Sequence, residues 1–266
     1  MRAKEILIYL SLIYEGDQKK MYNHIRDKVK VDNDEVSKIA EPFLDSTISV
    51  VDDDYPENWK RIYLPSILIH FKGNKKLLSN ENLKRSVTYV GSRDASKAGI
   101  EMAREVGKTL AKADVTLISG IARGIDAEVM RGAMEEHGKI IGISGAGIDI
   151  DYPSQNADIY DYLKREGLLL SEYPKETKPS PENFPQRNRL LAGLGEVVIV
   201  GEAEKRSGSI ITANMALEFG KDLGCVPSLP RKESATNALI RDGAYLIDEP
   251  SDILTILDGA RGEHHL

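Results

Sequence analysis

The sequence predicts an α/β protein with a doubly wound, mostly parallel, Rossmann-like sheet and a small N-terminal helical segment. Three observations predict it. From Val87 onward, short β-branched runs alternate with helical stretches at a spacing of about 25–30 residues, the size of a βα unit. The runs are continuously apolar, as in strands covered on both faces. The stretches between them carry apolar residues three and four apart, which is one face of a helix.

Residues 1–45 are read as the helical segment. The apolar stretch 6–14 follows Arg2 and Lys4. It is too short to cross a bilayer, which takes roughly 20 apolar residues, so a buried helix is expected and no membrane partner. A polar stretch, the acidic cluster Asp52, Asp53 and Asp54, and an apolar run at 66–71 ended by Gly73-Asn74 follow. Isolated strands and turns are expected there.

Residues 46–257 are read as the main domain and 258–266 as a tail. Strands are predicted at 87–90, 115–119, 139–143, 168–171 and 197–200. Helix faces are predicted from Ile100, Ala103, Val106 and Leu110, from Ile125, Val129 and Ala133, and from Ile211, Met215, Ala216 and Phe219. Right-handed crossovers then wind the sheet on both faces.

Composition narrows the function. The chain has 266 residues, 41% hydrophobic and 29% charged, enough to bury one sizeable core. A single cysteine, Cys225, leaves no disulfide framework or multi-cysteine metal site and fits a reducing, cytoplasmic setting. The net charge of −6 means that a polyanion would need a focused site.

In such a sheet, ligands bind beyond the carboxyl ends of the strands. Gly91-Ser92-Arg93 follows the first strand and Ser119-Gly120 through Arg123-Gly124-Ile125-Asp126 the second. Ser144-Gly145-Ala146-Gly147 follows the third, and Gly201-Glu202-Ala203 and then Ser207-Gly208-Ser209 the last. Glycines allow close backbone approach, helix N-termini favour anions, and arginine suits phosphate oxygens. The turns together read as a phosphate-binding rim. No dinucleotide fingerprint, Walker A sequence or metal-ligand cluster is present, so no cofactor and no metal are expected. Asp149 and Asp151 read as capping or solvated acids, and His264 and His265 as a solvated tail.

The stretch 168–189 holds four prolines, so an extended loop is expected before a helix opening at Phe184. Arg187 and Arg189 then stand at that helix start, against the macrodipole unless an anion answers them. Tyr173 and Phe184 are candidates for base stacking, with core burial the preferred role for Phe184. Glu172 is placed to orient Arg187 or Arg189.

These motifs, together with Asp54-Tyr55-Pro56, Lys72-Gly73-Asn74, Glu172-Tyr173-Pro174, Phe184-Pro185-x-Arg187-Asn188-Arg189, Thr212-Ala213 and Asp242-Gly243-Ala244, resemble the DNA-processing protein A (DprA, or Smf) family over roughly residues 48–257. The resemblance implies an extended Rossmann-like fold that binds single-stranded DNA, forms a homodimer and loads the RecA recombinase during natural transformation. It implies no catalytic residues.

Carried over, Arg93, Arg187 and Arg189 line the DNA site with Arg123 as neighbour. Lys178 stands in for a basic residue that the family often has just before Phe-Pro. Gly91, Ser92, Gly120, Gly124, Asn188, Ser207, Gly208 and Thr212 complete the predicted site. Dimer contacts are expected in the C-terminal third, where Tyr245, Leu246 and Ile247 lie. The alternative is a nucleotide glycosidase, for which Glu172 and Asp126 are the acid–base candidates.

Overall fold

Strand Ser86–Val90 (β3) is the hub of the molecule. In this computed structural model, which describes residues 3–229 and 234–260, it pairs in parallel with two strands distant in sequence. Thr116–Ser119 (β4) lies on one side, with Val87 opposite Leu117. Val197–Val200 (β7) lies on the other, with Val87 opposite Val197.

The chain before β3 forms helices α1 (Ala3–Ile13), α2 (Gln18–Arg26) and α3 (Asn33–Ala40). Strand β1 (Thr47–Ser49), helix α4 (Glu57–Lys60), strand β2 (Leu68–Gly73) and helix α5 (Asn80–Lys84) come next. After β3 run α6 (Lys97–Lys112), β4, α7 (Ile125–Glu135), β5 (Ile140–Ser144), α8 (Ala157–Arg165), β6 (Leu168–Ser171), α9 (Asn183–Leu194), β7, α10 (Gly208–Glu218), β8 (Asp222–Cys225), α11 (Thr236–Arg241), β9 (Tyr245–Leu246) and α12 (Asp252–Ala260).

The sheet has nine strands in the order β1-β2-β6-β5-β4-β3-β7-β8-β9. From β6 to β9 every neighbouring pair is parallel. The pairs β1–β2 and β2–β6 are antiparallel, so the segment read as isolated strands extends the same sheet. Strand β8 was not predicted. Its four residues include Asp222 and Gly224 and lack the β-branched run that marks the others.

Both faces are covered, as continuous apolar strands require. On one face Val90, Ile118, Ile141, Leu170 and Val198 pack under α9 and α10. Trp59, fully buried, donates its indole N–H to the Leu190 carbonyl at 3.0 Å and pins α4 to α9. On the other face Val87, Tyr89, Leu117, Leu169 and Ile199 pack under α6, α7, α8 and α12.

The predicted faces of α6 and α7 are the buried ones. Helix α10 differs: Ser209, Thr212, Ala213 and Ala216 face inward and Ile211 is exposed. Ser209 and Thr212, at its start, border a cleft, while Ala213 and Ala216 further along join the core.

The N-terminal helices hold a smaller core of Leu7, Ile8, Leu10 and Met21 against Ile67 and Leu68. Buried polar links fasten them. Gln18 accepts from the Ile67 N–H at 2.8 Å, and Ser11 Oγ bonds His70 Nε2 at 3.0 Å. Helix α12 runs through Ala260, into the residues read as a tail; His264 and His265 lie outside the described residues. No helix among the described residues is long and apolar enough to cross a membrane.

Candidate nucleic-acid interface

The winding direction of the sheet reverses at β3. Successive strands β4, β5 and β6 build one way, and β7, β8 and β9 build the other. Beyond the carboxyl ends of β3 and β7 the flanking turns diverge and leave a crevice. A cleft of about 620 Å³ opens there. Gly91, Ser92 and Arg93 form one wall; Ser207, Gly208 and Thr212 at the start of α10, with Asn188 of α9, form the other. A second cleft of about 360 Å³ adjoins it over β4 and β5, bounded by Gly120, Arg123, Gly145, Tyr152 and Phe184. Arg93, Ala122, Tyr152, Phe184 and Arg187 border both.

The floor is built around Asp126. Its carboxylate accepts the Gly91 N–H at 3.1 Å and the Gly120 N–H at 3.2 Å, tying the turns after β3 and β4 together. Burial pushes this carboxyl up, and the Arg187 charge and backbone N–H groups pull against that. A Cβ on Gly120 would stand 2.8 Å from Asp126 Oδ2 and 3.0 Å from Arg187 Nη2, so only glycine leaves room for both side chains. Gly124 has φ 74°, and its missing side chain lets the Ser92 carbonyl lie against it. It supports the cleft from behind.

Arg187 and Arg189 are not displayed at a helix mouth as expected. Arg187 is 4% exposed. Its Nη1 donates to the Gly120 carbonyl at 2.8 Å and to the Ile143 carbonyl. Burial pulls its pKa down. Strand-end carbonyls and a carboxylate answer its charge, so the cation at the start of α9 needs no bound anion. It still forms part of the cleft floor.

Arg189, also 4% exposed, points away from the clefts and pairs with Glu172 through two bonds of 2.7 and 2.5 Å. Of the two arginines Glu172 was expected to orient, it holds this one. Arg189 Nε also donates to the Leu64 carbonyl at 2.9 Å. Lys178 is exposed on the proline-rich loop and borders neither cleft, although its neighbour Pro179 borders the larger one.

The two aromatic residues exchange roles. Tyr173 is 5% exposed and belongs to the interior. Phe184 is half-buried at the junction of the clefts, its ring over Gly145. Tyr152, 46% exposed, lies against it with ring centroids 5.7 Å apart. The guanidinium carbons of Arg93 and Arg187 stand 5.6 and 6.0 Å from the Phe184 centroid. Arg93 and Arg123 are exposed, and neither forms an ion pair among the described residues.

Tyr152 and Arg206 border the clefts but are not among the site residues read from sequence. Tyr152 follows the turn after β5 by a few residues, and Arg206 directly precedes Ser207-Gly208-Ser209; adjacency to these turns was the available signal. Asp151 is held by Lys164 at 2.7 Å and Asp149 accepts the Glu176 N–H at 2.9 Å, so each has a local partner. No cluster able to hold a metal occurs among the described residues.

A doubly wound sheet with an arginine- and aromatic-lined cleft at its switch point defines a Rossmann-like protein without a dinucleotide fingerprint. The chain belongs to the DNA recombination-mediator protein A family, whose model matches residues 46–258. DNA processing protein DprA of Streptococcus pneumoniae is 37% identical over 85% of this chain and 78% of its own length. Protein Smf of Synechocystis is 36% identical over 77% of this chain and 52% of its own. The X-ray structure of the pneumococcal protein superposes with a TM-score of 0.79 at 30% identity, covering 96% of this chain and 98% of that one. The structure of DNA processing protein A from Helicobacter pylori, described for its single-stranded DNA binding mode, gives 0.72 at 26% identity over 82% and 97%.

Proposed function

We propose that the paired clefts bind single-stranded DNA and that the chain is a recombination mediator, not an enzyme. The observation that carries this reading is the Tyr152–Phe184 pair flanked by the exposed guanidinium of Arg93. Stacked aromatics suit the faces of unpaired bases, and arginine suits the backbone between them. The relation to a protein described for single-stranded DNA binding supports the same reading.

Phosphates would sit along the wall formed by Arg93 and the start of α10. That helix has no acid in its first turn, and the Ser207 hydroxyl bonds Ser209 Oγ rather than capping an amide. Arg206 stands at the same wall and Arg123 at the smaller cleft. Asp126 and Glu172, the acids a glycosidase would draw on, are both buried, one held by turn amides and the other by Arg189.

As a mediator, the protein would protect the strand in the cytoplasm and pass it to the RecA recombinase, acting as a homodimer. Edge strand β9 supports assembly: Tyr245 and Leu246 are 51% and 52% exposed, while Ile247 is buried. An exposed apolar strand edge is a template for pairing.

The test is a gel shift with single- and double-stranded oligonucleotides, alongside light scattering. Preference for the single strand and a dimer mass are expected. Equal binding to duplex, or no binding, counts against the DNA reading.

A further inference from the structure

The helix that follows the hub strand, α6, is where a Rossmann-type protein ordinarily receives a ligand phosphate. Here the place holds a side chain. Glu202, from the turn after β7, accepts the Ser96 N–H at 3.1 and 3.2 Å through its two oxygens and the Ser96 hydroxyl at 2.7 Å. Ser96 is the N-cap of α6, and its Oγ in turn accepts the Gly99 N–H at 3.1 Å. A Cβ on Gly99 would overlap Glu202 Oε2, so the carboxylate is seated directly on the first helical turn. No cation pairs with Glu202 among the described residues. Its partners are the amide, the hydroxyl and the positive end of the helix. The Glu202 backbone also accepts the Ser92 N–H at 2.7 Å, which locks the turn carrying Arg93 to β7.

We infer that Glu202 is a resident anion that closes the α6 phosphate seat and sets the specificity of the switch-point cleft against free nucleotide phosphates. Among the helices that begin around the clefts, α6, α7 and α10 have their ends treated differently. At α6 the carboxylate of Glu202 takes the anion's place. At α7 the Asp126 carboxylate turns back onto the Gly91 and Gly120 amides. Of these three, α10 begins without a carboxylate, on Ser207 and Gly208. A mononucleotide or dinucleotide needs its phosphate at the hub helix, with base and sugar reaching outward from there. A strand does not, because its phosphates can follow the open wall from Arg93 to α10. This last consequence rests on the proposed DNA reading; the closed seat does not.

The experiment compares wild type with Glu202→Ala and Glu202→Gln, using inorganic phosphate as probe. Glu202→Ala empties the seat. Its crystals soaked in phosphate should show an anion on the Ser96 N–H, and its melting temperature should rise with phosphate by more than that of wild type. Glu202→Gln keeps the shape and removes the charge. It should melt below wild type, by a margin that shrinks as salt screens the helix end. If Glu202→Ala does not fold, Glu202→Gln decides. An empty seat in soaked Glu202→Ala crystals, or Glu202→Gln melting like wild type, overturns the inference. Neither arm uses DNA, so a failure of DNA binding leaves the result readable.

Discussion

Arg189 and Glu172 form a bidentate ion pair inside the protein, with side chains 5% and 2% exposed. The pair joins the start of α9 to the end of β6, and burial costs both charges their hydration. Removing one partner leaves the other buried and alone. Arg189→Met should therefore lose about 3–5 kcal/mol in urea denaturation. Adding Glu172→Leu should recover most of that loss. An Arg189→Met variant as stable as wild type would show the pair to be dispensable.

Arg187→Ala should behave as a core variant too. It strips the Gly120 and Ile143 carbonyls of a donor and leaves the Asp126 carboxyl without its counter-charge. A loss on the order of 3 kcal/mol is expected from the same reasoning about unpaired buried charge. Chemical denaturation checks it; an unchanged midpoint would restore the expectation of a displayed, ligand-facing arginine.

His70 links stability to pH. It is 2% exposed, bonded to Ser11, and burial pulls its pKa from 6.5 to about 4. The unfolded chain therefore binds the proton more readily than the folded one. Its contribution is complete above about pH 6.5 and is lost as pH falls from there towards 4, by about 3 kcal/mol in all. The variant His70→Gln should flatten the stability–pH curve in that window. A curve with the wild-type slope would assign the pH dependence to other groups.

Much of this architecture was legible in the sequence. The runs at 168–171 and 197–200 are strands with those bounds because unbroken Leu or Val runs suit strands buried on both faces. The glycine turns fall on one sheet edge because the strands are parallel. Side-chain direction was not legible. Arg187 is buried because carbonyls from Gly120 and Ile143, distant in sequence, converge on it. Phe184 stays at the surface because Gly145 offers a flat floor and Tyr152 a wall. Helix α10 departs from its predicted face only at its start: Ile211 borders the cleft and is exposed, while Ala216 is buried and Met215 and Phe219 pack on the core.

The aromatic pair makes a separate prediction. Base stacking on an aromatic side chain contributes about 1–3 kcal/mol, so Phe184→Ala and Tyr152→Ala should each weaken oligo-dT binding roughly 5- to 150-fold. Phe184→Trp should retain affinity. Fluorescence anisotropy reads all three, and alanine variants that bind like wild type would remove the rings from the interface.

The most direct test of the central claim is the salt dependence of oligo-dT binding by wild type and Arg93→Ala. Arg93 is exposed and forms no ion pair among the described residues, so its removal should leave the melting temperature nearly unchanged. Each phosphate neutralised on a single strand contributes about 0.7 to the slope of log K against log salt. Arg93→Ala should bind more weakly at every salt concentration, with a slope shallower by about 0.7. Wild type that does not bind the oligonucleotide, or an Arg93→Ala titration that overlays the wild-type line, would contradict the assignment of these clefts to single-stranded DNA.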